Sequence, residues 1–182
     1  MRMGTGKVHK KEKNKVKRNY LSLGKIMLLF TLVIYMSSCT KGLVFNQFKP
    51  VENNQWHKDS IVNFVFNSTD TIQKNNIFIT LRNNKDYEFS NLFLIVGIEF
   101  PSNYQIVDTL EYEMTTPEGR YLGTGISDIK ENKLEYKTNV TFSLKGDYNI
   151  SIQQAMRKTR DVEGLSYLDG ITDVGVQIEK VK

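Results

Sequence analysis

The sequence is poor in the residues that build covalent and metal-based sites. Its 182 residues include one cysteine, one tryptophan, two histidines and three prolines. A single cysteine excludes an intrachain disulfide, so a mature domain of about 130 residues must rely on its apolar core. His9 lies in a basic N-terminal segment, which leaves His57 as the histidine available for acid–base chemistry. Its position beside Trp56 favours a surface or packing role.

Sequence motifs for enzyme chemistry are also absent. The chain has no CxxC or HExxH metal-ligand pair, no P-loop and no GxSxG nucleophile motif. Glu111 and Glu113 fall on one side of an alternating run, where a solvated strand face is a simpler interpretation than an acid pair. We therefore predict that the protein is not an enzyme, with no catalytic residue, no metal site and no cofactor.

Positive charge is concentrated at the N-terminus. The chain has a formal net charge of +5, but nine of its 25 Lys and Arg residues lie within residues 1–25, beside one acid, Glu12. That leaves 16 basic and 19 acidic residues after Cys39, a formal charge of −3. A mildly acidic domain gives no reason to expect nucleic-acid binding.

The first 39 residues have the pattern of a lipoprotein signal. A basic stretch precedes an apolar run of eleven residues, Ile26 to Met36, and Ser37-Ser38-Cys39 follows. A membrane-spanning helix needs about 20 apolar residues, so this run is typical of a cleaved signal peptide. We predict a signal peptide over 1–38 and acylation of Cys39, which attaches the protein to a membrane through lipid. The alternative is a short, imperfect membrane anchor with an incidental cysteine.

The mature chain is dominated by period-two alternation of apolar and polar residues. Residues 39–55 read as a lipidated tether, with an optional edge strand at Leu43–Phe48, and residues 56–182 as one domain. Seven or eight alternating runs are separated by turn residues, which predicts an all-β fold, an antiparallel β-sandwich or jelly roll. The stretch near 152–168 is predicted as a short helix or a long loop.

Five separated blocks of the mature chain resemble the GldH family of gliding-motility lipoproteins. They read WHKDSIVNFVF, ITLRNNKDYEFSNLFLIV, DTLEYEM followed by EGRYLGTGISDI, GDYNISIQQAMR, and GITDVGVQIE. Their order and spacing cover almost the whole mature domain. The resemblance implies a lipoprotein of the gliding machinery, which is coupled to the type IX secretion system, and it implies no enzymatic activity.

Two functions follow as expectations. The first is a non-enzymatic component that binds other envelope lipoproteins or the periplasmic domains of the gliding and secretion machinery. The second is a lipid-anchored module that binds glycans, because jelly-roll domains often bind sugars through exposed aromatic side chains. Four tyrosines near predicted turns are candidates for that role: Tyr87, Tyr104, Tyr121 and Tyr167.

Three arginines and two tyrosines within the family-like blocks form a candidate partner-binding patch. Both residue types are enriched at binding hot spots, and these positions lie near strand ends, where loops carry function. The alternative is that the arginines pair with carboxylates such as Asp86, Glu118 or Asp161 and brace loops. The patch consists of Arg82, Tyr87, Arg120, Tyr121 and Arg157.

Three tripeptides share the order aspartate, hydroxyl residue, apolar residue. They resemble the acceptor motif of a periplasmic O-glycosylation system in the same bacterial group, although short motifs recur by chance. The candidate acceptors are Ser60, Thr71 and Thr109.

The residues after Cys39 bear on its destination. Thr40, Lys41 and Gly42 include no aspartate beside the cysteine and no acidic cluster, so neither inner-membrane retention nor export to the cell surface is signalled. We predict a lipid anchor in the outer membrane, with the domain facing the periplasm.

Overall fold

The structure, a computed structural model, describes residues 42–125, 127–158 and 163–181. These residues form ten strands and one short 3-10 turn, Glu52–Asn54. The strands are β1 (Leu43–Pro50), β2 (Gln55–His57), β3 (Val62–Ser68), β4 (Lys74–Asn83), β5 (Asn91–Glu99), β6 (Gln105–Glu113), β7 (Lys130–Thr141), β8 (Gly146–Gln154), β9 (Tyr167–Asp169) and β10 (Ile171–Lys180).

Two antiparallel four-stranded sheets make the body of the fold. The first has the order β1-β10-β4-β7, and the second has the order β3-β8-β5-β6. A two-stranded ribbon of β2 and β9 forms a third, separate sheet. The predicted all-β sandwich is confirmed. The strand count exceeds the predicted seven or eight partly because β2 and β9 have three residues each, too few to show a period-two pattern.

Alternation along each strand divides buried from solvated side chains. In β3, Phe64 and Phe66 are buried while Val65 between them is exposed. In β4, Ile77 and Ile79 are fully buried and belong to the same core cluster as the β3 residues. Burial of such side chains contributes about 1.5–3 kcal/mol each, so a domain without disulfides is stabilised by this one core.

The strands run between two ends, which we call the anchor end and the distal end. The anchor end is where β1 begins and β10 finishes, and it carries the connections 69–73, 100–104 and 142–145. The distal end carries the connection 84–90 and the described residues between β6 and β7, which are 114–125 and 127–129. It also carries residues 51–61, 155–158 and 163–170, which include β2 and β9. At about 3.3 Å per residue, ten-residue strands separate the two ends by about 30 Å.

Residues 43–50, part of the tether predicted over 39–55, form a strand of the sandwich. The optional edge strand is present as β1, which pairs with β10 along its whole length. The Phe45 ring packs edge-on against Phe66, with 5.7 Å between centroids. Strand pairing with β10 therefore brings Phe45 of the edge strand into contact with the core. The run between Gly42 and Pro50 has too few alternating positions for the sequence alone to decide between a strand and a tether.

The stretch near 152–168 contains no helix among its described residues. β8 continues to Gln154, and Arg157 then bridges to Gly164 in an antiparallel manner. The Gln154 amide, 2% exposed, donates to Leu165 O at 2.9 Å, and its oxygen accepts from Met156 N at 2.9 Å. Of the two predicted alternatives, the described residues form the loop, which a buried side chain holds in place.

Side chains close the open edge between β6 and β7, which belong to different sheets. Asp108 Oδ2 accepts hydrogen bonds from Tyr136 Oη and Lys137 Nζ, both at 2.8 Å. These bonds, that of Lys137 most, lower the pKa of Asp108 below its usual value. Tyr112 Oη donates to Glu135 O at 2.8 Å, and burial raises the pKa of Tyr112 to about 12. The two sheets are thus joined by polar contacts at an edge where no strand pairing occurs.

We expect Asp108→Asn to destabilise the fold by about 1 kcal/mol at neutral pH, because the partly exposed carboxylate loses charge-assisted bonds. Since the folded pKa lies below the unfolded value of about 3.9, this contribution is present above that value and is lost as the pH falls through the folded pKa. Urea unfolding of both proteins at pH 7 and about pH 3 measures this. A difference that persists unchanged at the lower pH would contradict the assignment. The exposed Asp86→Asn is the control.

Candidate functional site

Hydrogen bonds and buried side chains hold the backbone of the distal end in a defined conformation. Trp56 of β2 and Leu168 of β9 are buried, and Trp56 Nε1 donates to Ser60 O at 2.8 Å. Lys58 N donates to Ser166 O at 2.9 Å, and Gln153 Nε2 donates to Lys58 O at 2.6 Å. The β2–β9 ribbon is therefore fixed to the last residues of β8.

Gly170 joins three segments of this end. Its N–H donates to Asn54 O at 2.9 Å, and its carbonyl accepts from Asn84 N at 2.8 Å. It has φ +81°, and a Cβ there would overlap the backbone nitrogen of Tyr87. A glycine is required by both the left-handed backbone and the close approach of the 84–90 connection.

Tyr87 is a core residue, so its assignment to the partner-binding patch is wrong. Its ring is 1% exposed, and its hydroxyl donates to Asn91 O at 2.7 Å. Burial raises its pKa well above the usual range. Tyr121 is half-buried, and its hydroxyl donates to Tyr87 O at 2.5 Å. An aromatic residue next to turn residues looks exposed in sequence, but this turn folds back over the core.

Arg82 braces the outer face of the first sheet. Its Nε lies 2.9 Å from Glu131 Oε2, and its guanidinium carbon lies 4.0 Å from the ring centre of Phe48. The bracing alternative therefore holds for Arg82, with Glu131 in place of the expected Asp86. The contacts link β1, β4 and β7 across the sheet.

Arg120 and Arg157 are exposed and differ from Arg82 in their contacts. Arg120 ends a tight turn in which Thr116 N donates to Arg120 O at 2.8 Å. Arg157 follows β8 and lies beside Gly164. Among the described residues, ion pairs involve neither guanidinium. Asp161, one of the expected bracing partners, lies outside the described residues.

Two clefts flank the connection between β2 and β3. The larger, about 470 Å³, is lined by Trp56, His57, Val62 and Tyr167, among others. The rings of His57 and Tyr167 meet edge-on with 4.7 Å between centroids. Arg157 lines the second cleft, of about 310 Å³, with Lys58, Ile95 and Met156. Sequence reasoning missed the larger cleft as a site, although its aromatic residues stand in the WHKDSI block and beside the last turn.

The fold brings only some residues of the predicted patch into contact with one another. All five of its residues lie at or near the distal end, where their connections or strand ends are found. Tyr87 and Tyr121 are in direct contact. Within the described residues, no hydrogen bond, ion pair or ring contact joins Arg157 to the other four. Surface contacts are thus available from Arg120, Tyr121 and Arg157.

The four tyrosines considered for glycan binding do not share a face. Tyr87 is buried and Tyr121 half-buried, while Tyr104 is at the anchor end and Tyr167 at the distal end. A sugar-binding platform needs adjacent exposed rings, which these four positions do not supply.

The candidate glycosylation acceptors occupy three different settings. Ser60 is exposed in the turn after β2, Thr71 is half-buried in the 69–73 connection, and Thr109 is exposed in the middle of β6. Their modification stays a prediction. The Asp108 that precedes Thr109 is already engaged by Tyr136 and Lys137.

The described residues contain neither a metal-binding cluster nor a helix that could span a membrane. Within the described ranges, no group of three or more His, Cys, Asp and Glu side chains is placed to hold a metal ion. In the same ranges, no helix has the length and apolar character needed to cross a bilayer. Cys39 and the signal sequence lie outside the described residues.

Comparison with known proteins identifies the family. Residues 43–178 match the family model described as GldH lipoprotein. The chain is 51% identical over 154 residues to the gliding motility lipoprotein GldH homolog of Christiangramia forsetii, covering 85% of this chain and 93% of the relative. It is 48% identical over 155 residues to the gliding motility lipoprotein GldH of Flavobacterium johnsoniae, covering 85% and 94%.

Similarity among solved structures is much weaker. The infectious bursal disease virus VP2 subviral particle aligns at 13% identity with a TM-score of 0.33, over 75% of this chain and 30% of that one, which is too low to support any argument. The family model and the two relatives, by contrast, each cover most of the sandwich. The chain belongs to the GldH lipoprotein family.

Proposed function

We propose that this protein is a non-enzymatic component of the gliding-motility machinery, anchored by lipid in the outer membrane and facing the periplasm. In this proposal it acts by binding other lipoproteins or periplasmic domains of the machinery linked to type IX secretion. The similarity to two lipoproteins named for gliding motility supports the motility role. Membrane attachment follows from a lipoprotein family.

The arrangement of the distal end is the single observation that carries the binding role. That end presents two clefts, two exposed arginines outside any ion pair among the described residues, and a rigid backbone fixed by Gln154 and Gly170. A surface whose backbone is already ordered loses less conformational entropy when a partner binds, so association costs less free energy. Arginine and tyrosine give large contact areas with directional polar ends.

The combined variant Arg120→Ala with Arg157→Ala tests this role. Both side chains are exposed, so we expect a change in melting temperature within about 2 °C. Loss of two hot-spot side chains is expected to lower recovery of motility or secretion proteins about tenfold or more after mild cross-linking. A fall in melting temperature with binding per folded molecule preserved would show that the arginines are structural.

Arg82→Ala and Lys85→Ala are the matched controls. Arg82→Ala removes a paired and stacked guanidinium, so it should lower stability by about 1 kcal/mol and leave recovery unchanged. Lys85→Ala removes an exposed cation of the 84–90 connection that is outside the patch, and it should change neither quantity. If the controls reduce recovery as much as the double variant does, the loss reflects positive charge in general and not a specific binding site at Arg120 and Arg157.

Protease treatment of intact cells tests the proposed location. A periplasm-facing domain is shielded by the outer membrane, so we expect the protein to remain intact until the membrane is permeabilised, after which it is digested. Exposed turns such as residues 117–120 offer cleavage sites, which makes the permeabilised sample an internal control. Degradation in intact cells would place the domain on the outer face.

A further inference from the structure

The anchor end carries exposed apolar side chains at three separate connections. Ile72 in the 69–73 connection is 86% exposed, Tyr104 in the 100–104 connection is 64% exposed, and Leu144 in the 142–145 connection is 41% exposed. Leu43 and Val44, at the start of β1, are also exposed. Each of these positions is a tip or a strand end, where water-facing residues are ordinarily polar.

A chain of aromatic contacts ties these connections into one surface. Phe66 of β3 meets Phe142, and Phe142 meets Tyr148 of β8, with centroid separations of 4.8 and 4.9 Å. Phe100 then contacts Tyr148 at 5.2 Å and Tyr104 at 5.6 Å. The three connections therefore stand on a shared apolar layer and hold their places relative to one another.

Backbone bonds also fix the beginning of β1 to this surface. Lys180 N donates to Gly42 O at 2.7 Å, and Val181 N donates to Lys74 O at 2.8 Å. Gln73 Nε2 donates to Lys74 O at 2.8 Å, and Asp70 Oδ1 accepts from Ile72 N at 3.0 Å. The bond from Ile72 N and a second from Gln73 N to the same Asp70 oxygen lower the pKa of Asp70. Ile72 is thus held outward by an ordered loop.

Covalent geometry brings this end close to a lipid attached at Cys39. Three residue steps separate Cys39 from Gly42, and they can span at most about 11 Å. The polar headgroup layer on each side of a bilayer is about 5–7 Å thick. A lipid on Cys39 therefore keeps the first residue of the sandwich within roughly two headgroup layers of the hydrocarbon.

We propose that the anchor end rests on the bilayer, with Ile72, Tyr104 and Leu144 inserted among the lipid headgroups. This rests on the proposed acylation of Cys39. Apolar side chains gain free energy on leaving water, and tyrosine favours the membrane–water interface. Exposed Lys74, Lys145 and Lys180 at the same end face anionic headgroups. The contact orients the sandwich upright and presents the distal end to partners.

Fluorescent labels on the mature acylated protein in phosphatidylethanolamine–phosphatidylglycerol vesicles test the proposal. Because acylation uses the one native cysteine, a cysteine introduced at 72, 104 or 144 is the only thiol. Each position has a control of the same residue type at the distal end: Ile72→Cys against Ile129→Cys, Tyr104→Cys against Tyr167→Cys, and Leu144→Cys against Leu122→Cys.

We expect the anchor-end labels to shift their emission to the blue and to be quenched at least about twofold by headgroup-depth nitroxide lipids, while the distal labels do not respond. If the anchor-end label and the distal label of a pair show the same emission shift and the same quenching, the proposal is overturned. A signal that depends on protein density and not on the lipid quencher overturns it as well, since that indicates a second copy. A protein without acylation fails to float with the vesicles, which identifies failure of the anchor itself.

A photoreactive phospholipid gives the same test on the unsubstituted protein. Adducts are expected in peptides covering 69–73, 100–104 and 142–145, and their absence there, with adducts elsewhere, would contradict the proposed contact.

Discussion

Cys39→Ser is expected to abolish incorporation of labelled palmitate and to leave the precursor uncleaved, at the full 21.1 kDa. A serine hydroxyl does not carry the thioether-linked lipid, and cleavage of a lipoprotein signal depends on that modification. The size and the label are the decisive readouts. Membrane association is not, because the retained apolar run also holds the precursor at a membrane.

The matched control is Ser38→Ala, which keeps a small side chain next to the cleavage site. It should be processed and labelled like the wild type. The competing interpretation, a short membrane anchor with an incidental cysteine, predicts no label and no change in size for either protein. Label in Cys39→Ser would rule out Cys39 as the acylated residue. The expected effect on label and size is all-or-none, because the chain has no other cysteine to carry the lipid.

Gly170→Ala is expected to destabilise the fold by about 3 kcal/mol or more, and so to lower the melting temperature by about 10 °C. The new Cβ would overlap Tyr87 N and lie 2.7 Å from the Asp86 carbonyl carbon. These are backbone atoms, which cannot move aside as a flexible side chain does. Relief requires the 84–90 connection to shift, which would disturb the buried Tyr87.

Gly119→Ala is a close control for backbone conformation. Gly119 also has φ +81°, but nothing lies within 4 Å of a Cβ built there. It should cost about 1 kcal/mol, from the left-handed conformation alone. The difference between the two losses in stability measures the cost of the contact between the new Cβ and the backbone of the 84–90 connection. Equal melting temperatures would show that the 84–90 connection can move away from the new Cβ at little cost in free energy.

The sandwich was predictable because its long strands obey a simple rule. β8 alternates buried Tyr148, Ile150 and Ile152 with more accessible polar residues, and the sequence shows that period directly. The short strands were not predictable. The pairing of β2 with β9 depends on residues 112 positions apart, such as Trp56 and Leu168, and a three-residue run contains no period.

The candidate site was predictable in location but not in its individual residues. Turn residues next to arginines indicated loops at strand ends, and the topology brings those ends together. Whether a side chain in a loop faces solvent depends on tertiary contacts. Tyr87 and Arg120 look alike in sequence, yet Tyr87 is covered by the fold and Arg120 is exposed. The partner of Arg82, Glu131, is 49 positions away and carries no local signal.

The central claim is that the distal end binds proteins of the motility machinery while the opposite end is held by lipid. Site-specific photo-cross-linking in living cells tests it most directly, with the cross-linker in place of Lys158, the exposed neighbour of Arg157, and, as a control, in place of the exposed Val107 of β6. We expect adducts between position 158 and motility or secretion proteins, and none from position 107. Adducts from 107 with no adducts from 158 would contradict the claim.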